Sequence, residues 1–111
     1  MKIGIIGNGF VGNALANGFG LFCDVLIHDK DPGRSANSAS ETINNSKIIF
    51  VCVPTPMKTS EMGRVDLSII RNVLEEISAA LNKNYNPLIV IKSSVPPGSV
   101  ESFIREFPNL R

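Results

Sequence analysis

The stretch IGIIGNGFVGNALANGFG, Ile3 to Gly20, constrains this chain more than any other. A β-rich run, Lys2 to Ile6, meets Gly7, Gly9 and Gly12 in the spacing G-x-G-x-x-G, and a helical pattern follows from Phe10 to Leu21. Alone, that spacing is weak. It gains weight when it joins a strand to a helix and an acid stands about 20 residues further on. Asp29, closing a second β-rich run from Asp24, lies 22 residues after Gly7.

Each position has a physical task. Gly7 permits a tight turn, Gly9 lets a pyrophosphate approach the backbone, and Gly12 lets helix and strand pack closely. The helix start offers unpaired N–H groups and a partial positive charge to phosphate. Asp29 can accept both hydroxyls of an adenosine ribose and would repel a 2′-phosphate, so NAD is favoured over NADP. A cleaved signal peptide does not fit, because Gly4, Gly7, Asn8 and Gly9 interrupt what should be an apolar core.

Composition narrows the rest. The 111 residues suit one domain, 1–111, and the net charge of +1 with no basic run gives no support for nucleic-acid binding. Two cysteines and one histidine cannot build a closed zinc site, so no metal is expected. The longest apolar run, IIFVCV, has six residues, far short of a membrane span. A cytoplasmic chain with reduced thiols is expected.

Patterning continues the alternation. A brief helix around Glu41 to Asn45 follows the turn-rich Lys30 to Ser40, and Lys47 to Val53 is a buried strand ending at Pro54-Thr55-Pro56. Asp66 is a candidate N-cap for a helix with Leu67, Ile70, Val73, Leu74, Ile77 and Leu81 inward and an Arg71–Glu75 pair outside. Glu75 and Glu76 read as a solvated face. Leu88 to Ser94 is the next strand. Ser99 is a candidate N-cap of a last helix with Val100, Phe103, Ile104 and Phe107 inward, and in the first helix Val11, Ala14, Leu15 and Phe19 fall near helical spacing. The predicted fold class is α/β: one Rossmann-like doubly wound parallel sheet of about four to five strands.

Four pieces, IGIIGNGFVG, HDKD, IIFVCVPTP and VIKSSVPPGS, resemble the N-terminal NAD-binding domain of the UDP-glucose/GDP-mannose dehydrogenase family. The resemblance implies cofactor contacts at Gly7, Gly9, Phe10, Val11 and Gly12, with Asp29 on the adenosine ribose and Arg34 beside it. It implies that Pro54 and Thr55 line the cofactor channel. Ser94 stands where the family carries a threonine, so it would contact the cofactor and organise catalytic water and the base. His28 and Ser99 read as structural, and Cys52 as a buried, inert thiol within a strand; Cys23 reads as packing.

The same resemblance implies two departures. The segment from Asp29 to Lys47 is short for the family, which places a longer helix and another strand there. The family's cysteine nucleophile, lysine and most of its sugar-nucleotide site also find no match, so the two-step oxidation of a sugar alcohol to a carboxylate is not expected of this chain alone. NAD is the expected partner, with the nucleotide sugar joining only in the complete enzyme. A homodimer through the apolar edge of Leu88 to Ser94 is also expected. Two alternatives stand beside this: a free-standing NAD- or nucleotide-binding module without catalysis, and a small hydroxyacid-type dehydrogenase completed by a partner chain.

Overall fold

The computed structural model describes residues 1–54, 67–93, 95 and 98–110. Its elements alternate: β1 Lys2–Ile6, α1 Phe10–Phe19, β2 Asp24–His28, α2 Ala39–Asn45, β3 Ile48–Val51, α3 Ser68–Ala80, β4 Leu88–Ile91 and α4 Ser99–Glu106. The four strands form one sheet in the order β2-β1-β3-β4, and every pair is parallel. Lys2 pairs with Asp24, Ile3 with Ile48, and Ile48 with Leu88. The expected α/β architecture is therefore present, with four strands.

Successive side chains on a strand point to opposite faces, and this sheet uses both. On one face Ile6, Ile49 and Val51 join Ile43 of α2, Ile70, Leu74 and Ile77 of α3, and Phe103 and Phe107 beside them in a single buried cluster. On the other face α1 lies against β1, and Phe19 stacks on Phe50 of β3 with ring centroids 5.3 Å apart. Burying an isoleucine side chain is worth about 1.5–3 kcal/mol, and six isoleucines here are at most 2% exposed. Ile43, Ile49, Ile70 and Ile77 among them anchor α2 and α3 to the sheet, while Ile3 and Ile5 lie on the α1 face.

Local chemistry explains the element ends. Ser38 caps α2: its hydroxyl accepts from the Glu41 N–H at 3.1 Å, the first half of a capping box. Gly20 ends α1 and donates its N–H to the Ala16 carbonyl. The Tyr85 hydroxyl donates to the Ser46 carbonyl, tying the turn before β4 to the start of β3.

Several expectations are corrected. Helix α1 turns Gly12, Leu15, Ala16 and Phe19 inward, leaving Val11 and Ala14 exposed, because only the glycine row can approach β1 closely enough. Ser99 is the first residue of α4; Gly98, at φ 86°, holds the N-cap position, a left-handed conformation that glycine adopts without strain. Arg71 does not pair with Glu75. Its Nε sits 2.8 Å from Glu106 of α4, and its guanidinium lies 6.0 Å from the Phe103 ring. In α4, Phe103 and Phe107 face inward, but Val100 and Ile104 are 47% and 62% exposed. The strands are shorter than expected: β2 ends at His28 before Asp29, β3 at Val51, and β4 at Ile91. The candidate cap Asp66 lies outside the described residues; α3 starts at Ser68 after Leu67, which makes no side-chain cap bond.

The segment from Asp29 to Lys47 carries α2 and no strand, so β2 forms one edge of the sheet. At the C-terminal end of β2, His28 Nε2 lies 3.8 Å from Glu76 Oε1 of α3. That juxtaposition shapes the site.

Candidate functional site

In an open parallel sheet, ligands bind outside the carboxyl ends of the strands where the strand order reverses. Here the reversal is at β1, since β2 lies on one side of it and β3 on the other. A cleft of about 400 Å³ opens at that point, lined by Gly7, Gly9, Asp29, Arg34 and Pro54 among others.

The glycine turn forms its floor. Gly7 has φ 97°, a region open to glycine at little cost. Its N–H donates to the His28 carbonyl at 2.9 Å, which ties the turn to β2. At Gly12 a Cβ would stand 1.9 Å from the Gly7 carbonyl oxygen, so only glycine lets α1 leave the turn along this path. At Gly9 a Cβ would meet nothing within 4 Å. Gly9 is also the N-cap of α1 and supplies no side-chain cap, so the first-turn N–H groups of α1 face this open space. The arrangement fits a pyrophosphate.

Asp29 sits beside the turn. Its Oδ2 accepts the Asn8 N–H at 2.8 Å and its Oδ1 accepts the Asp31 N–H at 2.9 Å. Partial burial pushes the carboxyl up, but the two backbone bonds, with Arg34 and His28 nearby, outweigh it and hold the group below the ordinary 3.8. A carboxylate offers about four acceptor positions, so two stay available to a ribose. Asp29 thus both latches the glycine turn and faces the cleft.

A pH dependence follows. A carboxyl whose pKa is lowered by folding stabilises the fold above its unfolded value, and that contribution is lost as pH falls through the lower folded value. Asp29→Asn should therefore be less stable than wild type by a constant margin from about pH 6 to 8, narrowing below about pH 4. Urea unfolding across that range checks it; a margin independent of pH would show that the Asp29 charge does not hold the turn.

The remaining candidates are placed as follows. Arg34 lines the cleft, with its Nε 3.6 Å from Asp31 Oδ2, and its carbonyl accepts from the Asn8 side chain at 2.8 Å. Phe10 is 97% exposed and Val11 is half-exposed. Neither lines the main cleft; Phe10 borders a shallower hollow on the outer side of α1 with Asn8 and Arg34. Thr55 and Ser94 lie outside the described residues. The neighbouring Ser93 donates to the Val53 carbonyl at 2.6 Å. Cys52 is not inside a strand: it follows β3, is half-buried and lines the cleft. Burial pushes its thiol up, only partly opposed by Lys92, which makes it a poor nucleophile.

Several cleft residues are not among the sequence-predicted site residues, and four of them lie on α3: Ile69, Asn72, Val73 and Glu76. Glu76 is exposed, as expected of a solvated face, and also places its Oε1 3.8 Å from Nε2 of His28. The signal was present as spacing, since 69, 72, 73 and 76 form one i, i+3, i+4, i+7 row beside the buried row 70, 74 and 77. Among the described residues no group of three His, Cys, Asp or Glu could hold a metal, and no helix is long and apolar enough to cross a membrane.

The comparisons agree with this geometry. Residues 32–109 match the model of the UDP-glucose/GDP-mannose dehydrogenase family, NAD binding domain. The UDP-glucose 6-dehydrogenase of Rickettsia bellii is 42% identical over 83 residues, covering 75% of this chain and 18% of that protein. Among solved structures, UDP-D-ManNAc dehydrogenase from Pyrococcus horikoshii superposes with a TM-score of 0.80 at 21% identity, over 98% of this chain and 32% of that one. A UDP-glucose dehydrogenase from Pyrobaculum islandicum gives 0.77 at 24% identity, over 97% and 33%. The chain thus spans under a fifth of the curated relative and about a third of the solved ones.

Proposed function

Because this chain belongs to the UDP-glucose/GDP-mannose dehydrogenase family and matches its NAD-binding domain, we propose that it is the cofactor-binding portion of a nucleotide-sugar dehydrogenase. In the whole enzyme, NAD accepts hydride as the C6 alcohol of a UDP-glucose-like sugar is oxidised to a carboxylate. The part of this chain is to hold and aim the cofactor. The N-terminus of α1 takes the pyrophosphate, Asp29 takes the adenosine ribose, and Arg34 and Pro54 flank them; Thr55 and Ser94 would complete the channel, with Ser94 toward the catalytic water. A thiol raised by burial, as at Cys52, does not supply the covalent step. The two free thiols, Cys23 and Cys52, suit a reducing cytoplasm.

One observation carries the reading: the uncapped, unobstructed start of α1 and the Asp29 carboxylate share one cleft at the sheet's switch point. Calorimetric titration tests it. NAD should bind, NADP should bind at least about tenfold more weakly because its 2′-phosphate meets Asp29, and Asp29→Ala should lose NAD binding. No heat with NAD at millimolar concentration would leave the turn as architecture only.

We also propose that the chain pairs with a second copy through β4. No strand lies on the outer side of β4 among the described residues, and exposed Leu88, Val100 and Ile104 border an apolar groove beside it.

A further inference from the structure

We infer that Asn37 closes the outer edge of β2 against strand pairing, which confines assembly through this sheet to the edge at β4. A bare strand edge is a template for another chain. The described sheet has two edges, β2 and β4, and their backbone groups are treated differently.

Along a strand, the backbone polar groups of successive residues face opposite neighbours. On β2, Asp24 donates its N–H to the Met1 carbonyl at 3.3 Å, and the His28 carbonyl accepts from Gly7 at 2.9 Å. Asp24, Leu26 and His28 therefore turn toward β1, while Val25 and Ile27 turn outward. Asn37 meets Ile27 on both of its groups. The Ile27 N–H donates to Asn37 Oδ1 at 2.9 Å, and the Ile27 carbonyl accepts from the Asn37 N–H at 2.8 Å and the Ala36 N–H at 3.2 Å. Asn37 thus makes the bonds that a neighbouring strand would make. Val25 keeps no outward partner among the described residues, but one residue gives an incoming strand no ladder to extend.

The plug is itself held in place. Asn37 Nδ2 donates to Glu41 Oε1 at 2.7 Å, and the Glu41 N–H donates to the Ser38 hydroxyl at 3.1 Å. The first turn of α2 therefore fixes the amide. The Asn37 carbonyl also accepts from the Ser35 hydroxyl at 2.9 Å. Closing the edge this way needs an acceptor and a donor on one short planar group, and a primary amide carries both.

The β4 edge has no such plug. Leu88 and Lys92 donate inward to the carbonyls of Lys47 and Val51 at 3.0 and 2.9 Å, which turns Ile89 and Ile91 outward. Neither has a backbone partner on that side among the described residues. Pairing of β4 with β4 is two-fold and uses up both open edges, so it stops at two copies. Pairing of β4 with β2 of a next copy would run head to tail and would not close. Asn37 blocks the second route and leaves the first.

Amide hydrogen exchange on the wild-type chain reads the plug directly. The Ile27 amide should exchange at least about tenfold more slowly than the Val25 amide, although both face outward from the same edge strand. Asn37→Ala should bring the two rates within about twofold. In sedimentation velocity the same variant should form species larger than a dimer that grow with concentration, and a cooperative thermal transition would show that it folds. Equal exchange at Ile27 and Val25 in wild type, or an Asn37→Ala variant that assembles no further than wild type, would overturn the inference. A monomeric wild type whose Asn37→Ala variant assembles would overturn the β4 pairing and leave the plug standing.

Discussion

Gly12→Ala should cost about 3 kcal/mol or more, a large share of the roughly 5–15 kcal/mol that holds a domain folded. The added methyl would stand 1.9 Å from the Gly7 carbonyl oxygen and 3.3 Å from the Ile5 side chain. The first contact is with backbone, which cannot rotate away. Relief requires α1 to lift from β1, and that also pulls Phe19 off Phe50. Urea denaturation would read the loss directly. Gly9→Ala is the informative partner: its methyl meets nothing, so stability should change by less than about 1 kcal/mol. The methyl would stand where the pyrophosphate must come, so NAD binding should fall in a folded protein. Wild-type stability in Gly12→Ala would show that the close packing at the turn is not required.

The second large effect is on assembly. If β4 pairs with β4 of a second copy, sedimentation velocity should show a species near twice 12.0 kDa that grows with concentration. Ile104→Asp should return it to the monomer. Ile104 is 62% exposed in the single chain, so a charge there should leave the monomer folded, whereas burying that charge unpaired in an interface is costly. A strictly monomeric wild type at high concentration, or an Ile104→Asp variant that associates equally well, would count against pairing.

Much of the fold was legible because it rests on local periodicity. The row Ile70, Leu74 and Ile77 marked α3's buried face, and the glycine turn with Asp29 marked the cofactor end of the sheet before any contact was known. What escaped was set by topology. Amphipathic spacing shows that α4 has an apolar face, yet not that its neighbours cover only Phe103 and Phe107. Arg71 had a plausible partner one turn away at Glu75, but packing of α4 against α3 delivered Glu106 from 35 residues along. Glu76 is a surface carboxylate, as its place on α3 suggests, and only the tertiary packing brings its Oε1 3.8 Å from His28 Nε2. The double duty of Asp29 was equally hidden, because the sequence gives no sign that the Asn8 N–H would spend its bond on it.

The order β2-β1-β3-β4 also bears on how the chain reaches its fold. Parallel strands cannot be joined by a tight hairpin, and no strand pair here is closer in sequence than Lys2 and Asp24. No strand pairing, therefore, forms cheaply by itself. Strand β1 is an inner one, and it stays open on one side until Ile48 arrives to pair with Ile3. Loop-closure entropy must be met three times before these four described strands are joined. The domain should consequently fold slowly for its size, with its helices flickering early and its sheet appearing late. Its most aggregation-exposed moment comes while Ile3 and Ile5 still lack a neighbour on that side.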